Sequence, residues 1–217
     1  MKPFNALLCL VGLVNGAAIK PTSLKSLADG MYTIPYVNGA MDFSRATLDS
    51  FNLSAVSAEY ESLIARASAN PSTYLTTLSS HFYSSSSGNF TTQCEPQFPT
   101  RITKCRDRTI NRIDYMRALA MYLFWIRAGP DNGIVPPHQC KSSLVNEVLV
   151  ATCSTGGPNP ACEGEVLEAM REVDTYCGDI DGGDIQINHW KKRYTRHNVR
   201  DGGDINFPDT GEMVPRD

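Results

Sequence analysis

The chain has 217 residues, a formal net charge of −3 and 41% hydrophobic residues. That length supports one domain with its own core and is short for two. A mildly acidic chain has no global electrostatic attraction for nucleic acid or an anionic membrane, which argues against nucleic acid as a partner.

Lys2 opens the chain with a positive charge, and Phe4 to Val14 follows as an apolar run broken only by Asn5 and Gly12. Gly16 and Ala18 then supply small residues at −3 and −1 from a cleavage point after Ala18. This order predicts a secretory signal peptide over 1–18 and a secreted, extracellular product. The apolar run is about half the ~20 residues that a membrane span needs, and no later stretch comes closer, so no span is expected. The polar C-terminus carries no lipid-anchor tail. Lys2 is the only charge in the leader, so its removal takes the net charge from −3 to −4. We read 19–207 as a single secreted α+β domain and 208–217 as a polar, flexible tail.

Cleavage also removes Cys9 and leaves Cys94, Cys105, Cys140, Cys153, Cys162 and Cys177. An even count in a secreted chain predicts three disulfides, with fifteen connectivities open. A zinc site competes poorly, since no C-x-x-C pair occurs. Asn52-Leu53-Ser54 and Asn89-Phe90-Thr91 are glycosylation sequons, whereas Pro71 disqualifies Asn70.

In chain order, Met31 to Leu48 reads as a hairpin. Tyr32, Ile34 and Tyr36 alternate before Asn38-Gly39, and Met41 and Phe43 alternate after it. Asn-Gly favours a type I′ turn, and Pro35 pushes the first strand towards a sheet edge. A helix is predicted near 55–69, with Val56, Tyr60, Leu63, Ile64 and Ala67 on one face. Asn70-Pro71 stops it, and a second helix near 72–82 turns Leu75, Leu78 and Phe82 inward from a Ser72 N-cap. Arg108 to Arg127 reads as the central helix, with Ile110, Ile113 and Met116 inward in its first half. Nine consecutive apolar residues from Ala118 to Ile126 mark the second half as buried on all sides. The aromatic and methionine stripe within it, Met121 to Trp125, is read as core rather than as a cofactor pocket, and no cofactor is expected.

Two more helices are predicted near 143–152 and 163–177, the second placing Val166, Met170, Val173 and Cys177 on one face. The Gly/Pro loop between them suggests a Cys153–Cys162 disulfide. Asp181-Gly-Gly-Asp-Ile185 recurs as Asp201-Gly-Gly-Asp-Ile205, and each copy leads into a short alternating strand. The fold class that results is α+β: a disulfide-tied helical core against a small antiparallel sheet made by the hairpin and the repeat.

Between the repeats, residues 189–200 carry five formal positive charges and no carboxylate. His189, Trp190, Lys191, Lys192, Arg193, Tyr194, Arg196 and His197 are the candidate binding residues, since cations interleaved with rings suit an anionic glycan or another anion. A solvated strand whose cations pair with Asp179, Asp181, Asp184, Asp201 and Asp204 competes with that reading. A third reading is cleavage at the dibasic Lys192-Arg193. His189 and His197 beside cations would also serve a ribonuclease-like hydrolase. No G-x-S-x-G, H-E-x-x-H or P-loop pattern occurs, and six pairable cysteines leave no thiol nucleophile. Asp179, Asp181 and Asp184 fail the calcium-loop pattern, since Asp184 stands where that loop requires Gly, so no metal site is expected.

Leu27-Ala-Asp-Gly-Met-Tyr32, soon after the leader, and Cys177-Gly178 followed by Asn188-His-Trp-Lys-Lys-Arg-Tyr194 resemble patterns in small cysteine-rich secreted proteins of filamentous fungi. That resemblance implies an effector-like virulence protein and no catalytic residues. The function expected is thus a secreted, non-enzymatic effector-like protein acting on an unidentified host or extracellular partner, with a hydrolase or a glycan- or ion-binding module as alternatives.

Overall fold

The computed structural model describes residues 27–84, 98 and 101–201. The leader, Cys94, the Asn89 sequon and the tail therefore lie outside the described residues. The architecture is mixed α+β, but an antiparallel sheet dominates it, which corrects the expectation of a helical core with a small sheet. The strands are β1 (Gly30–Val37), β2 (Ala40–Met41), β3 (Thr47–Leu48), β4 (Ile102–Thr109), β5 (Ile134–Val135), β6 (Gln139–Val145), β7 (Val148–Ser154), β8 (Asn159–Pro160), β9 (Asp181–Ile187) and β10 (Lys192–Asn198). The helices are α1 (Ser57–Ala69), α2 (Tyr74–Ser84), α3 (Arg112–Ala128) and α4 (Glu163–Cys177). The main sheet runs β2-β1-β6-β7-β10-β9-β4, with β3 also pairing to β1, and β5 and β8 form a separate two-stranded ribbon.

The predicted turn and first strand form, but the second strand is only Ala40–Met41: Phe43 lies in a 3-10 turn over Phe43–Arg45, and the chain pairs with β1 again at β3. Asn38 and Gly39 both take positive φ, at 52° and 82°, which is the backbone a type I′ turn requires. Pro35 lies in β1, next to the sheet margin, and only the two-residue strands β2 and β3 lie outside it. The hairpin and β9 belong to one sheet, yet β6, β7 and β10 separate them.

The segment 143–152 is not a helix. It is the second half of β6, a two-residue turn and the first half of β7, with Leu144 opposite Leu149 and Val145 opposite Val148. Asn146 supports the turn at φ 51°. Both strands are buried on both faces, so the alternation that normally reveals a strand is missing. Residues 108 and 109 likewise belong to β4, and α3 begins only at Arg112, where the Asn111 side chain accepts the N–H groups of Ile113 and Asp114.

The four helices cover one face of the sheet. Helix α3 rests on β6 and β7, and Ser143 Oγ on β6 donates to the Ala118 carbonyl at 2.7 Å. Helices α1 and α2 cover its outer side through the rings of Tyr60, Phe82 and Phe124, and α4 packs against β9, β4 and β10. Every residue from Ala118 to Ile126 is buried, as predicted, but Ile113 is 39% exposed rather than inward. A second apolar cluster occupies the opposite face of the sheet, built from Tyr32, Ile34, Tyr36, Met41, Leu144 and Leu149 among others. Among the described residues no helix is long and apolar enough to cross a membrane.

Two disulfides tie this frame among the described residues. Cys140 and Cys153 join directly opposite positions of β6 and β7, and Cys105 on β4 joins Cys177 at the end of α4. Cys162 is disulfide-bonded as well. The predicted Cys153–Cys162 bridge is therefore incorrect. Proximity across a strand pair, which the helix assignment had hidden, outweighs proximity along a loop.

Candidate functional site

The basic segment singled out by sequence becomes β10, an interior strand paired to β7 on one side and β9 on the other. Strand alternation sends Lys192, Tyr194 and Arg196 to the helical face and Arg193, Thr195 and His197 to the opposite one. Lys192, Arg193, Tyr194, Arg196 and His197 are all buried. The competing picture of a solvated strand is corrected, although its ion pairing is partly realised.

On the helical face, Lys192 Nζ donates to Glu165 of α4 at 2.7 Å and to the Pro160 carbonyl at 2.5 Å. Tyr194 donates its hydroxyl to the same carboxylate. Burial lowers the Lys192 ammonium pKa, against the opposing pull of Glu165. Arg196 pairs with Asp174 and donates to the Tyr115 hydroxyl at 3.0 Å, to the Gly178 carbonyl at 2.7 Å and to the Asp181 carbonyl at 3.0 Å. A guanidinium at the carboxyl end of α4 meets the Gly178 cap carbonyl and the negative end of the helix dipole.

On the opposite face, Arg193 Nη2 donates to Asp184 Oδ1 at 2.6 Å and Nη1 to the Tyr36 hydroxyl at 2.8 Å. Arg106 of β4 holds the other oxygen of Asp184 at 2.8 Å. Tyr36 stands on β1, three strands from β10, so this contact requires the sheet to curl until its two sides meet over that face. His197 stands 3.1 Å from Thr195 through Nδ1, while its buried Nε2 has no hydrogen-bond partner among the described residues. Burial, with Arg106 and Arg193 adding to it, holds His197 well below the usual histidine pKa.

The remaining candidates lie at the entry to β10. His189 and Lys191 are exposed on a short 3-10 turn over Asn188–Trp190 and its left-handed cap. Trp190 is half-buried against Phe98 and beneath Lys192. His189 thus lies before β10 and His197 near its far end, with the five steps from Lys192 to His197 alone covering about 16 Å at ~3.3 Å per residue. A two-histidine acid–base pair needs both rings within reach of one scissile group, and these two do not share a cleft. Asp179 pairs with Arg112 and Asp184 with Arg193. Among the described residues no group of three or more metal-ligating side chains converges. Asn52, in the described sequon, is exposed.

An open site exists elsewhere. A cavity of 380 Å³ lies between β1, the segment 48–53, α1 and α3. Met31, Phe51, Leu53, Tyr60, Met121 and Val145 line it, with Asp29, Asp49, Glu61 and Arg117 as its charged groups. Tyr60 donates its hydroxyl to the Arg117 carbonyl at 3.1 Å, and burial pushes its phenol pKa up. Asp49 accepts from Lys141 at 2.8 Å and from Thr33 at 2.7 Å. Asp29 accepts the Asn146 N–H at 2.7 Å. Glu61 and Arg117 are exposed and without an ion-pair partner among the described residues. Sequence reasoning missed this site because its walls come from segments tens of residues apart, and each wall residue alone reads as core or as solvated surface.

The molecule is therefore a disulfide-linked α+β protein built on a curled antiparallel sheet, with helices on one face and an open, mixed-polarity cavity at one side. No protein-family model, no curated protein and no solved structure matches the chain.

Proposed function

We propose that this chain is a secreted, non-enzymatic effector-like protein that acts by binding at a host or extracellular surface. The observation that carries the reading is the cavity between β1, α1 and α3: it joins an apolar floor to a charged rim on which Glu61 and Arg117 have no ion-pair partner among the described residues. Such a combination of apolar lining and a few convergent polar groups suits ligand binding. The cations of β10, by contrast, are committed to internal carboxylates and carbonyls. The leader-like N-terminus, the disulfides and the resemblance to cysteine-rich fungal secreted proteins support an extracellular place of action.

Three assays test the reading. The culture medium of the producing organism should contain a chain beginning at Ile19. Purified protein infiltrated into host tissue should elicit a response, and deletion of the gene should reduce virulence. An unresponsive tissue together with unchanged virulence would overturn it.

A further inference from the structure

We infer that the cavity between β1, α1 and α3 takes a small organic amine: an aromatic-sized apolar body carrying one protonated nitrogen at the rim. The inference rests on the reading of this chain as a binding protein and names the chemistry of its ligand.

Size sets the first limit. At 380 Å³ the cavity stands near the lower end of the ~300–1,000 Å³ typical of small-molecule sites. It suits a single ring with a short chain rather than a peptide segment. The lining sets the second limit. Met31, Tyr60, Met121 and Val145 form the cavity floor, each at most 5% exposed, and the accessible apolar surface is supplied by Leu48, Phe51 and Leu53 at its mouth. Two of the four are methionines, whose polarisable thioethers adapt to a flat ring and contact it favourably. Phe51 and Tyr60 add aromatic faces, which attract both rings and cations.

Charge sets the third limit. Lys141 pairs with Asp49 at 2.8 Å and with Asp131 at 2.6 Å, so this group adds no net positive charge to the site. Among the described residues Asp29 receives a neutral backbone N–H and no cation, so its negative charge is not cancelled there. Glu61 and Arg117 have no ion-pair partners among the described residues. The uncancelled charges are thus two carboxylates against one guanidinium. A ligand carboxylate would face Asp29 and Glu61 with only Arg117 in its favour. An ammonium group meets the opposite balance, and Glu61 is the carboxylate left for it to pair with.

The test uses the full secreted chain carrying 13C-methyl methionine and three probes of matched shape: phenethylamine, 2-phenylethanol and 3-phenylpropanoate. Phenethylamine is expected to shift the Met31 and Met121 methyl signals while those of Met116 and Met170 stay in place. An exposed charge pair contributes up to ~1 kcal/mol, so the amine should bind about threefold to fivefold more tightly than the alcohol, and the acid most weakly. Glu61→Gln should remove most of the gap between amine and alcohol and leave alcohol binding as it was. Arg117→Gln should widen the gap. Both residues are exposed, so an unchanged methionine spectrum of the free variants verifies their folding. Equal or tighter binding of the acid overturns the charge assignment. The absence of any Met31 or Met121 shift at millimolar probe overturns the site. Either failure leaves the tissue assay unaffected, so it is distinguishable from failure of the effector reading.

Discussion

Arg193 and Asp184 form an ion pair at 2.6 Å in which neither side chain retains any solvent exposure. Asp184 is also held by Arg106, so one carboxylate neutralises two guanidinium groups on the inner face of the curled sheet. This predicts an asymmetry between substitutions. Asp184→Asn removes the buried carboxylate that both guanidinium groups share and should cost about 3–5 kcal/mol. Arg193→Met keeps the Asp184–Arg106 pair and replaces a buried cation by an apolar chain of similar length, so its cost should be smaller. Denaturant midpoints at constant m-value decide the order. A larger loss for Arg193→Met would contradict the arrangement.

His197 predicts a pH dependence. Burial, then Arg106 and Arg193, depress its folded pKa, while the unfolded ring takes up a proton near ~6.5. The unfolded state therefore binds more protons below that pH. The stability associated with His197 is complete above about pH 6.5 and is lost as pH falls towards the folded value, by at most ~1.4 kcal/mol per unit. Burial also lowers His81, which has the same sign. Asp174 is raised by burial, so its contribution is complete below ~3.8 and lost as pH rises. The difference between wild type and His197→Gln isolates the single ring. Parallel profiles from pH 7.5 to 5 would contradict the prediction.

The two bridges should differ in their response to reductant. Cys140 and Cys153 are fully buried beneath the second apolar cluster, whereas Cys105 is exposed on β4. Thiolate attack needs access to a sulfur atom. Mild reductant without denaturant, followed by alkylation and peptide mapping, should label Cys105 and Cys177 first. The bridge closes 72 residues, so in the loop-entropy model its loss removes about 4 kcal/mol and should be visible as a lower unfolding temperature. Earlier labelling of Cys140 and Cys153 would exclude this order.

The dibasic Lys192-Arg193 bond should resist processing in the folded protein. It lies in β10, bonded to strands on both sides, and both residues are at most 3% exposed. A protease specific for paired basic residues should leave the native chain whole at this bond and cut it only after unfolding. A native-state cut after Lys192 or Arg193 would show that β10 opens locally, contrary to its interior position.

Several elements were legible in the sequence for plain physical reasons. Asn38-Gly39 dictates a tight turn locally. Tyr60, Leu63, Ile64 and Ala67 repeat at helical spacing beside one buried face, and the uninterrupted apolar run of α3 demands neighbours on every side. The region 143–152 was misread because strands covered on both faces lose their alternation, leaving a short apolar run that fits either element. Residues 189–200 were read as solvent-facing because their charge is high, although alternation between two faces gives each cation a different internal partner: Lys192 finds Glu165, Arg193 finds Asp184 and Arg196 finds Asp174. Glu165 and Asp174 lie on α4, some twenty or more residues before the cations they pair with, beyond the reach of any local pattern.

By itself, then, the sequence determined what depends on near neighbours: the type I′ hairpin, the stop at Asn70-Pro71, the buried central helix, the amphipathic face of α4 and the supply of cysteines. Tertiary structure alone decided which cysteines meet, which face of β10 each cation joins, and that a cavity opens between β1, α1 and α3. Those outcomes depend on contacts between segments remote in the chain. Strand pairing brings Cys140 to Cys153, the docking of α4 brings Cys177 to Cys105, and the curl of the sheet brings Tyr36 of β1 to Arg193 of β10.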